Sequence, residues 1–236
     1  MIHRLRILTL AVAALVLAGA VLPASNANAL TYRSPQVVFN YAPLQGYLNI
    51  VDSGINVATQ QVDAQVWAVG VTGNTDFTLT LKTGAGIASS IGVYNGNDPN
   101  PIPLLFQVFP GAAQPGWYAA LHFGGGSLWV SLFDQFNVFQ GQVVYGGVNQ
   151  NNFGFYIQGP GGLWFSQDGR NPPPTGHPQV LTFASNDLPG EYWECFEAVP
   201  YNSGTSTFDG VVLNLQSVKP TPARATTWGQ IKAQYR

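Results

Sequence analysis

Alternation of apolar and polar residues, repeated along much of the chain, is the feature that most limits what this sequence can fold into. Phe77, Leu79 and Leu81 alternate with Asp76, Thr78, Thr80 and Lys82. Trp117, Ala119, Leu121 and Phe123 alternate with Tyr118, Ala120 and His122, and Leu128, Val130 and Leu132 with Trp129 and Ser131. Nearer the end, Val211, Leu213 and Leu215 alternate with Val212, Asn214 and Gln216. A period of two places successive side chains on opposite faces of a strand, so each segment offers one face to a core.

Further strands are expected over 47–51, 62–71, 87–94, 104–109, 142–145, 153–157, 163–166, 179–183 and 192–197. Between them stand chain breakers: Gly73-Asn74, Asn95-Gly96-Asn97-Asp98-Pro99, Pro110-Gly111, Gly124-Gly125-Gly126, Gly159-Pro160-Gly161-Gly162 and Pro172-Pro173-Pro174. No segment before the C-terminus has a helical period, and no internal repeat of fixed length is present. Many short strands with Gly/Pro punctuation imply an all-β fold, a two-sheet β-sandwich that is jelly-roll-like.

The two ends differ from this pattern. His3, Arg4 and Arg6 precede an apolar run over 7–22, interrupted by Thr9 and Gly19, and Ala27-Asn28-Ala29 supplies a small-x-small cleavage pattern. Residues 1–29 therefore read as a signal peptide, and the mature chain as secreted, extracellular or at the cell surface. Residues 30–218 form the sandwich domain, with no further segment suited to crossing a membrane. Residues 219–236 read as a spacer, Lys219-Pro220-Thr221-Pro222, followed by a short helical tail. In that tail Thr226 or Thr227 caps a turn that carries Trp228, Ile231 and Tyr235 on one side.

Charge narrows the partners. Arg4 and Arg6 lie in the leader, which leaves seven cations against eleven acids, a balance of about −4. With no basic stripe, nucleic acid is not an expected partner. The single cysteine, Cys195, cannot close an intrachain disulfide, and its neighbours Trp193 and Phe196 suit a small buried hydrophobe.

Catalytic motifs are scarce. The mature chain keeps His122 and His177, and it has no Gly-x-Ser-x-Gly elbow, His-Glu-x-x-His or Cys-x-x-Cys. Ser127 follows three glycines that suit a tight turn, and Gly84-Ala85-Gly86 lacks the strand–helix unit of a nucleotide loop. Glu191, Glu194 and Glu197 cluster around one strand, but alternation puts Glu194 on the face opposite Glu197, which argues against an acid–base pair. Oxygen-rich loops at 95–100 and around Asp168 and Asn171 offer ligands of the type calcium takes, or simply make turns. Trp67, Trp117, Trp129, Trp164 and Trp193 serve mainly the core, and any that lie exposed on a sheet face are suited to stacking on sugar rings.

The second half of the chain carries a resemblance. Phe153-Gly154-Phe155-Tyr156, Trp164-Phe165-Ser166-Gln167-Asp168, Pro178-Gln179-Val180-Leu181-Thr182-Phe183, Trp193-Glu194-Cys195-Phe196-Glu197 and Phe208-Asp209-Gly210-Val211-Val212 occur in this order. With Ile91-Gly92-Val93-Tyr94 and Phe106-Gln107-Val108-Phe109-Pro110-Gly111 upstream, the series over about 85–220 resembles an uncharacterised bacterial exoprotein β-sandwich domain. That domain is often found in proteins with PEP-CTERM or related sorting signals. The resemblance implies a cluster of acids that binds calcium or orders a turn. Here Glu197 and Asp209 are the positions carried over to it, and Ala198, Thr207 and Gly210 replace most of the rest. The tail departs from a PEP-CTERM signal, since it has no apolar span.

The reading is a secreted, non-enzymatic, surface-associated structural or adhesive module. Its cofactor is none, or calcium held weakly at Glu197 and Asp209, and its expected partners are glycans or cell-surface components. One rival is a carbohydrate-binding module, which requires exposed aromatics or a polar-rimmed groove. The other is a glycoside hydrolase-like enzyme, which requires two carboxylates converging in a cleft.

Overall fold

The alternating segments pair into two antiparallel sheets that enclose their apolar faces. The computed structural model describes residues 30–70, 72–172 and 177–222; the leader and the helical tail expected from the sequence lie outside these residues. A helix, α1 (Tyr41–Val51), precedes β1 (Ala64–Val69), β2 (Asn74–Lys82), β3 (Ser90–Asn95) and β4 (Leu105–Phe109). Then follow β5 (Tyr118–Gly124), β6 (Ser127–Phe133), β7 (Phe139–Gly146), β8 (Phe153–Gly159) and β9 (Gly162–Phe165). The last are β10 (Val180–Ala184), β11 (Tyr192–Phe196), β12 (Val211–Gln216) and β13 (Val218–Pro222).

The six-stranded sheet runs β13-β1-β8-β3-β4, with β9 beside β8, and the seven-stranded sheet runs β10-β11-β12-β2-β5-β6-β7. This is a two-sheet β-sandwich. Several neighbours are distant in sequence, notably β12 against β2 and β13 against β1. The core between the sheets takes Phe77, Leu79, Leu121 and Phe123 from one side and Trp67, Val93, Phe153 and Phe155 from the other. Trp67 meets Phe155 edge-on at 6.0 Å, and Phe123 stacks on Phe153 at 5.2 Å. Aromatic pairs of this kind add to the area they bury.

A second apolar layer explains why β11 and β12 are buried on both faces. Leu44 and Leu48 of α1, one helical turn apart, pack with Phe39, Ile55 and Val57 onto Leu181, Phe183, Trp193, Cys195 and Val212. Residues 47–51, expected as a strand, are therefore the end of a helix. Tyr47, Leu48, Ile50 and Val51 form a short apolar run rich in strand-favouring residues, while Pro43 and Gly46 obscure the period of 3.6. Pro43 is tolerated because it lies in the first turn, where the backbone N–H has no intrahelical partner.

Two further expectations change. Lys219-Pro220-Thr221-Pro222 is not a spacer but the body of β13, paired with β1 through Ala68↔Lys219, Trp67↔Pro220 and Val66↔Thr221. The prolines are accommodated because β13 is an edge strand, where an imide nitrogen can face away from the ladder. Lys82, expected on a polar face, is buried at 9% exposure. The register of β12 on β2 shifts between Leu213↔Leu79 and Val212↔Leu81, a bulge that turns Leu81 toward the α1 layer and Lys82 inward. The ammonium donates to the carbonyls of Ser89 (3.0 Å), Gly111 (2.8 Å) and Ala113 (3.1 Å).

Candidate ligand-binding face

The turn between β5 and β6 sets the geometry of the outer face of the seven-stranded sheet. Gly125 and Gly126 both take positive φ, 58° and 75°. Two such residues make the primed two-residue turn that matches strand twist, and glycine adopts this conformation without strain. The turn locks Gly124 opposite Ser127, and the register carries His122 opposite Trp129, Ala120 opposite Ser131 and Tyr118 opposite Phe133. All of these point away from the core, since Ala119, Leu121, Phe123, Leu128 and Val130 take the inner face.

Flanking strands extend each pair into a row across the sheet. Asn74, Asp76 and Thr78 of β2 lie beside His122, Ala120 and Tyr118. Val144, Gln142 and Phe139 of β7 lie beside Trp129, Ser131 and Phe133. The first row is thus Asn74–His122–Trp129–Val144, the middle row Asp76–Ala120–Ser131–Gln142, and the last Thr78–Tyr118–Phe133–Phe139. Aromatic side chains stand in both outer rows, His122 and Trp129 in one and Tyr118, Phe133 and Phe139 in the other, and the middle row is a floor of small and polar groups.

Ring contacts hold the walls in place. His122 and Trp129 have centroids 5.2 Å apart, Tyr118 stacks on Phe133 at 4.7 Å with planes 7° apart, and Phe139 meets Phe133 at 5.6 Å. Nδ1 of His122 lies 2.7 Å from Oδ1 of Asn74, so Nδ1 carries the proton when this bond is made. On the floor, Gln142 Nε2 donates to Ser131 Oγ at 2.8 Å. The groove along the floor has a volume of about 440 Å³, and its polar lining includes Asn74, Asp76, His122, Ser131 and Gln142. Asp76 is the one carboxylate in that lining.

The tryptophans divide by burial. Trp67, Trp164 and Trp193 are 0%, 7% and 7% exposed; Trp117 is half-buried against the core between the sheets, and Trp129 is half-buried on the outside of this sheet. Trp117 is tied by its indole N–H to Gln135 Oε1 at 2.9 Å, and Trp129 lines the groove. From the sequence, His122 is one of two mature histidines and Trp129 one of five domain tryptophans, with nothing to join them, and Asn74, Asp76 and Gln142 carry no signal of a site. What joins them is the register of β2 and β7 on the hairpin, which no local pattern encodes.

The other residues nominated by the sequence occupy structural positions. Glu197 is 5% exposed, and its Oε2 accepts the backbone N–H of Thr207 (2.8 Å) and of Phe208 (3.3 Å), a residue at φ 53°. Asp209 Oδ1 accepts the hydroxyl of Thr207. The two carboxylates thus meet at one turn, each with an oxygen already bonded to protein donors. Calcium takes six to eight oxygens, and among the described residues no group of three or more His, Cys, Asp or Glu side chains is placed to hold a metal ion. These two carboxylates order the turn, and on their own they fall short of the oxygen count that a calcium ion takes.

In the 95–100 loop the guanidinium of Arg170 takes the carbonyls of Gly96, Asp98 and Asn100 and lies 5.2 Å from the centroid of the Tyr94 ring. Asp98 accepts the N–H groups of Asn100 and Leu104. Asp168 pairs with Arg33 at 2.7 Å, and Asn171 bridges the backbone of Phe165 in both directions. The imidazole of His177 stacks on Tyr201 at 5.1 Å. Glu194 and Cys195 point to opposite sides of β11 and are both fully buried. Burial pushes the Glu194 carboxyl up to about 8 and the Cys195 thiol well above its usual range.

The chain defines a β-sandwich with a groove on one outer face, lined by the His122 and Trp129 rings and a polar floor. Compared with family models, curated proteins and solved structures, it matches none.

Proposed function

We propose that the protein is a non-catalytic carbohydrate-binding module that acts as an adhesive after export through its leader. The observation that carries this is the His122–Trp129 pair beside a polar floor on the outer face of β2, β5, β6 and β7, with Tyr118, Phe133 and Phe139 in the row beyond. A pyranose ring has an apolar C–H face and a rim of hydroxyls. Trp129 and His122 supply a surface for the first, and Asn74, Asp76, Ser131 and Gln142 supply donors and acceptors for the second. Hydrogen bonds to the Asp76 carboxylate are the stronger ones, because a charged acceptor roughly doubles their strength.

The non-catalytic reading rests on the carboxylates. Hydrolysis of a glycosidic bond takes two carboxyl groups about 5–9.5 Å apart across the scissile bond, and Asp76 lines the groove without a second. Glu194, whose raised acidity range would suit a general acid, is 0% exposed between the sheets, where no substrate reaches it.

A glycan array probed with the mature protein and with Trp129→Ala tests the proposal. The expected result is binding to a subset of glycans that the substitution abolishes while circular dichroism stays unchanged. Binding that survives Trp129→Ala would place the site elsewhere, and an array with no hits would remove the proposal.

A further inference from the structure

Resting on that reading, we infer that the ligand is a neutral glycan chain lying across the strands, and that the groove rejects polyanionic glycans. Direction follows from the rows. The floor Asp76–Ala120–Ser131–Gln142 crosses four adjacent strands, and strands lie about 4.8 Å apart, so it is about 14 Å long. It continues past Asp76 to Gln216 on β12, the next residue in register. At the other end it reaches β7, the unpaired edge of the sheet, where Gln142 is exposed. A trough of this length, with the His122 and Trp129 rings along it, suits several linked sugars better than one, and the exposed edge lets a longer chain run on.

Charge sets the class. The three rows contain one ionised side chain, Asp76, and no Lys or Arg. Among the described residues the cations are Arg33, Lys82, Arg170 and Lys219. Arg33 is bound to Asp168, Lys82 lies between the sheets, Arg170 serves the 95–100 loop, and Lys219 stands on β13 of the other sheet. A uronate or sulfate on the floor meets the Asp76 carboxylate with no counter-charge among the described residues to offset the repulsion and desolvation. Hydroxyls and N-acetyl groups instead find acceptors in Asp76 and Asn74 and a donor in Gln142.

Isothermal titration with neutral gluco- and manno-oligosaccharides of increasing length, beside oligogalacturonates of equal length and heparin, separates the outcomes. The expected result is neutral binding that tightens with chain length up to the trough length and exceeds the uronate by at least about tenfold. Asp76→Asn is expected to narrow that gap by admitting the uronate. Preferred binding of the acidic series, lost in Trp129→Ala, would overturn the neutral class and leave the binding face standing. No binding by either series at millimolar concentration would overturn both.

Discussion

Thr182 and Glu194 are direct cross-strand partners on β10 and β11, and the Thr182 hydroxyl donates to Glu194 Oε2 at 2.6 Å inside the sandwich. That bond and the nearby Arg33 favour the carboxylate, and the Trp67 indole favours it from outside hydrogen-bond geometry, but burial outweighs them and lifts the group to about 8. Near neutrality the folded protein therefore holds Glu194 as the neutral acid.

Stability should fall as pH rises across this window. The unfolded carboxyl ionises in the ordinary carboxylate range, whereas the folded one keeps its proton up to about 8. Between those limits the folded state binds more protons, so unfolding free energy declines by up to about 1.4 kcal/mol per pH unit for this group. Glu194→Gln keeps an acceptor for Thr182 and removes the titration. Urea unfolding from pH 4 to 9 should show the variant gaining on the parent above pH 5, and an equal slope in both would dismiss Glu194 as the source.

Lys82→Met should be among the costlier single changes. It removes the donor from the carbonyls of Ser89, Gly111 and Ala113 while leaving those acceptors in place. Unsatisfied buried groups of this kind cost about 1–3 kcal/mol each, so a total loss of about 3 kcal/mol is expected in denaturant unfolding. A loss within ordinary surface variation, about 0.5 kcal/mol, would show that water reaches those carbonyls.

Arg170→Lys should not replace Arg170. The guanidinium reaches Gly96, Asp98 and Asn100 with a planar fork while Nε holds Gln167 Oε1 at 2.8 Å, a pattern that a single ammonium does not reproduce. Hydrogen exchange should speed up at the Asp98 and Asn100 amides in the lysine variant, with β2 and β12 unaffected. Unchanged exchange in the loop would mean that Asp98 alone orders it.

Two C-terminal truncations separate strand from tail. Cutting after Val218 removes the pairs that Lys219, Pro220, Thr221 and Pro222 make with β1, and cutting after Pro222 keeps them. Thermal unfolding of the shorter form should come several degrees below the longer one, since about 1 kcal/mol moves the midpoint by about 2–4 °C in a chain of this size. Equal midpoints would mean that β13 contributes nothing to the sheet.

Sequence alone exposes the strands whose two faces differ. The alternation at Trp117–Phe123 and Leu128–Leu132 corresponds to β5 and β6 with the expected inner residues, and the triple glycine between them marks the turn. Strands buried on both faces were read only in part. Val212 was expected outward and is covered by α1, a helix whose period was masked by Pro43 and Gly46. The groove was less legible. His122 and Trp129 are bound together by a local turn, but Asp76 and Gln142 join them through pairings of β2 with β5 and of β7 with β6. Register between strands is a property of the assembled sheet, which is why an exposed Asp and Gln looked like ordinary surface residues.

The placement of the cations also bears on how the protein meets its target. Arg33 and Lys82 are buried, and Arg170 spends its guanidinium on loop carbonyls. Among the described residues this leaves Lys219 as the cation not engaged in holding the fold together. Among the described residues the proposed binding face therefore presents no positive charge to draw in an anionic partner, and retention there depends on contact chemistry. On the face proposed to bind glycan, attachment of this kind is expected to vary little between dilute and saline surroundings.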